Sequence, residues 1–147
     1  NPEMILSGRR LNDNMGSYIA DQVSKLMTKK RIHLVGSNIL IMGFTFKENC
    51  PDIRNTRVVD LVKAFKDFNC HIDIYDPWVD KDKAVHEYNI SLINQPIPAK
   101  YDAIVLAVAH DEFKDLSLEK IKAFGKDNHV LYDIKYLLGV DEVDGRL

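Results

Sequence analysis

Short apolar runs alternate with amphipathic segments along this chain. Segments bounded by turn residues predict strands at 39–42, 71–75, 91–93, 103–108 and 130–133, and the unbroken apolar runs at 39–42 and 103–108 predict buried strands. Apolar residues that recur at helical spacing predict helices over 17–30, 56–65 and 118–124. Strands that alternate with helices in this way are typical of an α/β fold with a parallel sheet and right-handed crossovers.

The first predicted helix has a continuous apolar stripe. Ile19, Val23, Leu26 and Met27 share one of its faces, so this helix must lie against another surface. Gly16 weakens the helix near its start. Because the helix precedes the α/β body as a leader, we expect a chain that stands alone to expose the stripe.

A charged loop, residues 43–57, joins the first predicted strand to the next helix. It lies at the carboxyl edge of the sheet, where open α/β folds bind ligands. We expect Asn55 to be the N-cap of that helix, and a helix N-terminus attracts phosphate through its unpaired N–H groups and its dipole. Lys47, Arg54 and Arg57 add positive charge. The loop is predicted to be either an anion site or a solvated loop with ordinary surface charge.

The common glycine-rich phosphate loops are absent from this sequence. There is no G-x-G-x-x-G run, and the P-loop spacing fails because Gly43 precedes Lys47 without a second glycine. We therefore do not expect a dinucleotide held in the usual way. Asp76 stands where such a site would place an acid for the ribose, and we expect it instead to cap the turn beside Pro77.

His110 follows the strand predicted at 103–108 and therefore lies at the same edge. It either approaches a ligand or caps the following turn. The remaining histidines show neither metal-ligand spacing nor a partner acid, so we assign no metal; they are His33, His71, His86 and His129.

Composition limits the classes of partner. The chain has 147 residues, enough for one domain or a domain with an appendage, and its net charge of -2 argues against a nucleic-acid partner. No apolar run approaches the ~20 residues that span a bilayer, so we expect no membrane partner.

Cys50 and Cys70 show no paired spacing, which favours a reducing cytoplasm. The chain opens at Asn1 rather than at a methionine, and we expect it to be a cloned piece of a longer protein.

Three motifs carry a family resemblance. They are the loop G-F-T-F-K-E-N-C-P-D-I-R-N-T at 43–56, the strand ending at 75–77 in Y-D-P, and the D-x-K step of Asp133 and Lys135. Together they resemble the C-terminal domain of the UDP-glucose/GDP-mannose dehydrogenase family. The stretch 8–15 resembles the exit from that family's central helical domain. The similarity covers nearly the whole chain and is closest to members that act on UDP-N-acetylhexosamines.

The resemblance implies a Rossmann-like sheet that holds the nucleotide end of a UDP-sugar. It places the end of the central domain at 1–30 and the nucleotide-sugar-binding domain at 31–147. The implied parent enzyme oxidises the C6 alcohol to a carboxylate in two hydride transfers to NAD, for surface polysaccharide synthesis. NAD and the catalytic cysteine belong to domains outside this chain. We expect this piece to bind UDP-sugar but not to catalyse, and the parent to work in the cytoplasm as a dimer or higher oligomer.

The resemblance also implies roles for single residues. Lys47 matches the lysine that contacts the nucleotide, Lys135 stands where relatives often carry arginine, and Arg54 matches an arginine of the loop motif. Arg54 either contacts the substrate or a neighbouring domain or pairs with Asp52. Phe46 is a further expected contact. Phe44, which is able to offer a face to the uracil, is a candidate, as are His110 and Arg57. Arg9 and Arg10 either meet the central domain or carry surface charge.

Two other classes of function are open. A receiver domain would also carry a lysine after its last strand, as Lys135 does, but it needs an acidic pair after the first strand, where this chain has Gly43 and Phe44. An assembly or dimerisation domain without its own ligand site is the stronger alternative. The apolar stripe of the leader helix motivates it.

Overall fold

A computed structural model describes residues 14–147 as one parallel sheet with helices on both faces. The strand order is β2-β1-β3-β4-β5, and every neighbouring pair is parallel. The strands are β1 Asn38–Met42, β2 His71–Tyr75, β3 Tyr101–Leu106, β4 Gly125–Asp133 and β5 Gly145–Arg146. Because the sheet is parallel, the carboxyl ends of its strands meet at one edge.

Five α-helices connect and cover the strands within this part of the chain. They are α1 Met15–Lys29, α2 Val58–Asp67, α3 Lys81–Tyr88, α4 Asp111–Lys114 and α5 Leu118–Lys122, followed by a 3-10 turn at Val140–Glu142. None of the helices described is long and apolar enough to cross a membrane.

The central strands are buried on both faces. Ile39 and Ile41 of β1 face the core that α1 and α2 cover, whereas Leu40 and Met42 face the core that α4 and α5 cover. Every residue of β3 is buried. The alternation of side chains along a strand explains why an unbroken apolar run was required here, since neither face of these strands meets water.

Most of the predicted elements are confirmed. Strands are present at 39–42, 71–75 and 130–133, and the strand predicted at 103–108 runs from Tyr101 to Leu106. The strand predicted at 91–93 is wrong, because that segment donates one backbone hydrogen bond, from Ile93 N to Ile74 O at 2.9 Å, and forms no ladder. The pattern also missed β5, which has only two residues, and the helices α3 and α4.

The apolar stripe of α1 is buried within this domain, which corrects the expectation that a lone chain exposes it. Ile19, Val23 and Met27 have at most 3% of their surface exposed and belong to the same core as α2 and the sheet. The observation that motivated an assembly domain is therefore removed. The domain boundary at residue 30 remains a prediction about the parent, and Arg9 and Arg10 lie outside the described residues.

Gly16 is a point of close approach between α1 and α2. A Cβ built on Gly16 would lie 2.6 Å from the backbone carbon of Asp60 and 2.7 Å from the backbone nitrogen of Leu61. Because these are backbone atoms, neither can rotate away. A glycine that weakens an isolated helix here permits two helices to touch.

We predict that Gly16→Ala destabilises the protein. Alanine favours the helix by up to about 1 kcal/mol relative to glycine, but overpacking against the α2 backbone costs about 1 to 3 kcal/mol. The net change in the free energy of unfolding, measured by urea denaturation, should be unfavourable. Ser17→Ala, at the exposed neighbouring position, is the control and should be neutral or stabilising. A Gly16→Ala variant more stable than the unsubstituted chain would contradict the close contact between α1 and α2.

Candidate functional site

A pocket of about 380 Å³ lies at the carboxyl edge of the sheet. The segments after β1, β3 and β4 form one side of it, and the first turns of α1 and α2 form the other. Its polar and aromatic lining includes Thr45, Phe46, Thr56, Arg57 and Lys135. Separate strand ends thus converge on one cavity, as expected for a ligand site of an open α/β sheet.

The loop after β1 begins with a glycine in a conformation that other residues rarely adopt. Gly43 has φ +107°, and a Cβ built there would lie 2.5 Å from Cβ of Val108. Glycine is required both by the backbone angle and by the close approach of the segment after β3. The turn at Gly43 directs Phe44 into the core and leaves Phe46 at the pocket.

Asp76, directly after β2, holds the start of this loop. Its Oδ2 accepts hydrogen bonds from the backbone N–H groups of Phe44, at 2.7 Å, and Thr45, at 3.1 Å. Its Oδ1 accepts from the N–H of Trp78 at 2.8 Å. The last contact is the expected turn cap. The side chain is fully buried and its oxygens are occupied by these contacts, so it is not available to a ribose.

His110 lies against the same carboxylate and is fully buried. Its Nε2 lies 2.8 Å from Asp76 Oδ2, and its Nδ1 accepts the backbone N–H of Asn49 at 3.0 Å. The ring stacks on Trp78, with 6.0 Å between centroids. The side chain of His110 makes no hydrogen bond that caps the following helix. Two roles were expected for His110, a ligand contact or a turn cap. In the structure, both ring nitrogens contact groups of the protein instead.

Asp133 does for the loop after β4 what Asp76 does for the loop after β1. Its Oδ1 accepts the N–H of Lys135 at 3.1 Å, and its Oδ2 accepts the N–H of Leu138 at 2.8 Å. The side chain is completely buried. An ionised carboxylate in the core requires such donors. These bonds fix the backbone of Lys135 at the pocket.

The N-terminus of α2 faces the pocket, but Asn55 does not cap it. Asn55 has φ +59° and lies in a turn, and the helix begins at Val58. Thr56 Oγ1 accepts the Val58 N–H at 3.3 Å. The hydroxyl of Thr56 therefore takes the place that was expected for Asn55, and Arg57 projects from the same turn with its side chain 68% exposed.

The pocket gathers some of the predicted site residues and leaves others out. Phe46, 57% exposed, lines it together with Arg57 and Lys135. Lys47 is exposed beside Phe46 but is not part of the lining. Phe44 is fully buried, edge-on to Tyr88, so its ring has no face accessible to a ligand.

Arg54 pairs with Asp52, one of the alternatives stated for it. Its Nε and Nη2 donate to the two carboxylate oxygens at 3.0 Å and 3.1 Å. This fork lowers the pKa of Asp52, chiefly through the side-chain hydrogen bond from Arg54. Arg54 is outside the pocket lining.

Sequence reasoning missed Thr45, Thr56 and Asp133 as parts of the site. A signal for Asp133 was present, since both Asp76 and Asp133 stand directly at the end of a strand. Short side chains with carboxylate oxygens commonly accept nearby backbone N–H groups at such positions. The two threonines carry no comparable pattern in the sequence.

The two free cysteines differ in environment. Cys70 is buried next to Ser37 at the opposite end of the sheet, and burial raises the pKa of its thiol. Cys50 is half-buried in the loop after β1. Within residues 14–147 no group of three His, Cys, Asp or Glu side chains is placed to hold a metal ion.

We predict that an aromatic disulfide reagent modifies Cys50 before Cys70. Thiolate is the reactive form, and each unit of raised pKa lowers its population about tenfold. Absorbance of the released thiol should show one fast and one slow phase. Cys50→Ser should remove the fast phase and Cys70→Ser the slow one; the reverse assignment would contradict the burial of Cys70.

Comparison with known sequences gives one family match and close relatives. Residues 40–140 match the UDP-glucose/GDP-mannose dehydrogenase family, UDP binding domain. The UDP-N-acetyl-D-glucosamine 6-dehydrogenases of Salmonella typhi and Pseudomonas aeruginosa are each 54% identical over 99% of this chain. These alignments cover 34% and 35% of those two proteins, so this chain spans about a third of their length.

Solved structures of low sequence identity share the fold. An NDP-N-acetyl-D-galactosaminuronic acid dehydrogenase from Methanosarcina mazei aligns with a TM-score of 0.81 and 20% identity, over 93% of this chain and 28% of that one. A UDP-D-ManNAc dehydrogenase from Pyrococcus horikoshii aligns with a TM-score of 0.74 and 22% identity, over 90% of this chain and 29% of that one. At these identities the likeness concerns the fold alone.

Proposed function

Because the chain belongs to the UDP-glucose/GDP-mannose dehydrogenase family, whose UDP binding domain matches residues 40–140, we propose that its carboxyl-edge pocket binds the UDP part of a nucleotide sugar. The observation that carries the proposal is the convergence of Phe46, Arg57 and Lys135 on one cavity. A flat aromatic ring suits the uracil, and two cations suit the diphosphate. The volume is within the range of ligand pockets, roughly 300 to 1,000 Å³.

The first turn of α2 supports the placement of the diphosphate. The positive end of its dipole attracts anions, and Thr56, Arg57 and Val58 line the pocket at that point. Guanidinium at Arg57 is able to contact two phosphate oxygens at once, whereas the ammonium of Lys135 acts as a point charge. Lys47, beside Phe46, adds charge from outside the lining.

For the whole parent enzyme, we propose oxidation of the C6 alcohol of a UDP-N-acetylhexosamine to a carboxylate. One water molecule is consumed, and two hydrides pass to two molecules of NAD⁺. This chain does not fit the dinucleotide: the loop after β1 lacks the glycine fingerprint, and the Asp76 carboxylate is occupied. NAD⁺ and the cysteine nucleophile are therefore assigned to other parts of the parent.

The cellular role follows from the same proposal. We place the parent in the cytoplasm, where it supplies acidic sugars for surface polysaccharides, as a dimer or higher oligomer. Two relatives with 54% identity are named for UDP-N-acetyl-D-glucosamine, which makes that hexosamine the first substrate to test.

We predict that UDP binds this chain saturably in calorimetric titrations at low salt, with weaker binding of UMP and none of NAD⁺. Loss of one charged hydrogen bond costs about 1 to 3 kcal/mol, so Arg57→Ala and Lys135→Ala should each weaken UDP binding at least about fivefold. The control is Lys63→Ala, an exposed position of α2 outside the pocket lining, and it should leave the affinity unchanged.

Lys47→Ala, in the same titration, tests the residue that the family motif indicates but the pocket lining does not include. We expect a loss of affinity that shrinks with added salt, because an exposed charge acts through a screened field. UDP binding that survives both Arg57→Ala and Lys135→Ala unchanged would refute the pocket as the diphosphate site.

A further inference from the structure

Within the segment 44–49, which carries Phe46 and Lys47, the N–H of Phe46 donates to the carbonyl oxygen of Asp52 at 2.7 Å. The segment is also held at both ends, and these two anchors meet at His110. At its start, the N–H groups of Phe44 and Thr45 donate to Asp76. At its end, the N–H of Asn49 donates to Nδ1 of His110, while Oδ1 of Asn49 accepts the N–H of Asp111 at 3.0 Å. Phe46 and Lys47 lie between the two anchors.

These contacts fix the tautomer of His110. A backbone N–H is a donor only, so the Nδ1 that faces Asn49 carries no proton. The proton of a neutral ring is then on Nε2, which donates to Asp76 Oδ2 at 2.8 Å. Thr45 Oγ1, 3.2 Å from the same nitrogen, directs its own hydrogen to the Lys47 carbonyl at 2.8 Å. The ring thus links the two ends of the loop through its two nitrogens.

We propose that His110 is a positioning residue for the ligand of the carboxyl-edge pocket. It does not touch the ligand, because it is fully buried beneath the loop. It acts by fixing Asn49, and through it the stretch that presents Phe46 to the pocket. The proposal rests on the proposed UDP site and identifies a part of that site which makes no direct contact.

Two substitutions separate the two contacts of the ring. The carboxamide oxygen of an asparagine occupies nearly the position of Nδ1, so His110→Asn keeps an acceptor for Asn49 and loses the donor to Asp76. A glutamine amide reaches the position of Nε2, so His110→Gln keeps the donor to Asp76 and leaves Asn49 without its acceptor. His86→Asn, at an exposed position of α3, is the matched control.

We predict that His110→Gln raises the Kd for UDP about tenfold, which corresponds to the loss of one hydrogen bond. The Kd of His110→Asn should stay within about threefold of that of the unsubstituted chain. The titrations are made well below the melting temperature of each variant, with folding checked by circular dichroism. His86→Asn should change nothing. If folded His110→Gln and the unsubstituted chain bind UDP with equal Kd values, the positioning role of His110 is overturned while the proposed UDP site stands.

If the unsubstituted chain shows no UDP binding in the titration, the proposed UDP site is refuted, and the positioning role of His110 is refuted with it. Two further measurements need no variant and remain valid if His110→Gln fails to fold. A nitrogen–proton correlation NMR spectrum of the histidine rings should show His110 protonated on Nε2 and unprotonated on Nδ1. Saturating UDP should slow hydrogen exchange of the Asn49 amide; a proton on Nδ1, or unchanged exchange, would overturn the inference.

Discussion

The Asp76 carboxylate is the interaction on which the candidate site depends. It is buried at the end of β2, and it accepts hydrogen bonds from the loop after β1, from the turn that follows β2, and from His110 after β3. A buried carboxylate needs hydrogen-bond donors, and these three segments supply them, so their arrangements depend on one another. The position of the loop is thereby tied to the register of the sheet rather than to contacts of its exposed side chains.

In the rest of the pocket, too, buried residues fix the backbone that carries the exposed side chains. Asp133 fixes the backbone of Lys135, and Gly16 permits the close contact that brings the start of α1 beside that of α2. The residues proposed to meet the ligand, Phe46 and Arg57 among them, are exposed and individually weakly held. Rigidity comes from beneath them, which is how a site on loops retains a defined geometry.

The sequence predicted the central strands β1 and β3 well because they are buried on both faces and therefore strongly apolar. It failed at 91–93, where Leu92 and Ile93 pack against the core but form no ladder, and at β5, which is too short to show a pattern. Within the site it named Phe46 and Lys135 as expected contacts and Arg57 and Phe44 as candidates, but it did not establish which of the two phenylalanines is buried. That distinction depends on the turn at Gly43, which no periodicity describes. The roles of Asp76 and His110 depend on contacts between distant segments, and local patterns carry no information about those.

The most direct test of the central claim is amide chemical-shift mapping of the nitrogen-15-labelled chain during a UDP titration. A UDP site in the carboxyl-edge pocket should give saturable shifts at Thr45, Phe46, Arg57 and Lys135, all with one dissociation constant. A second groove, with Arg31 and Lys126 in its lining, lies at the opposite edge of the sheet and serves as an internal reference that should not respond. Shifts confined to that groove, or no saturable shifts at the carboxyl edge, would contradict the account.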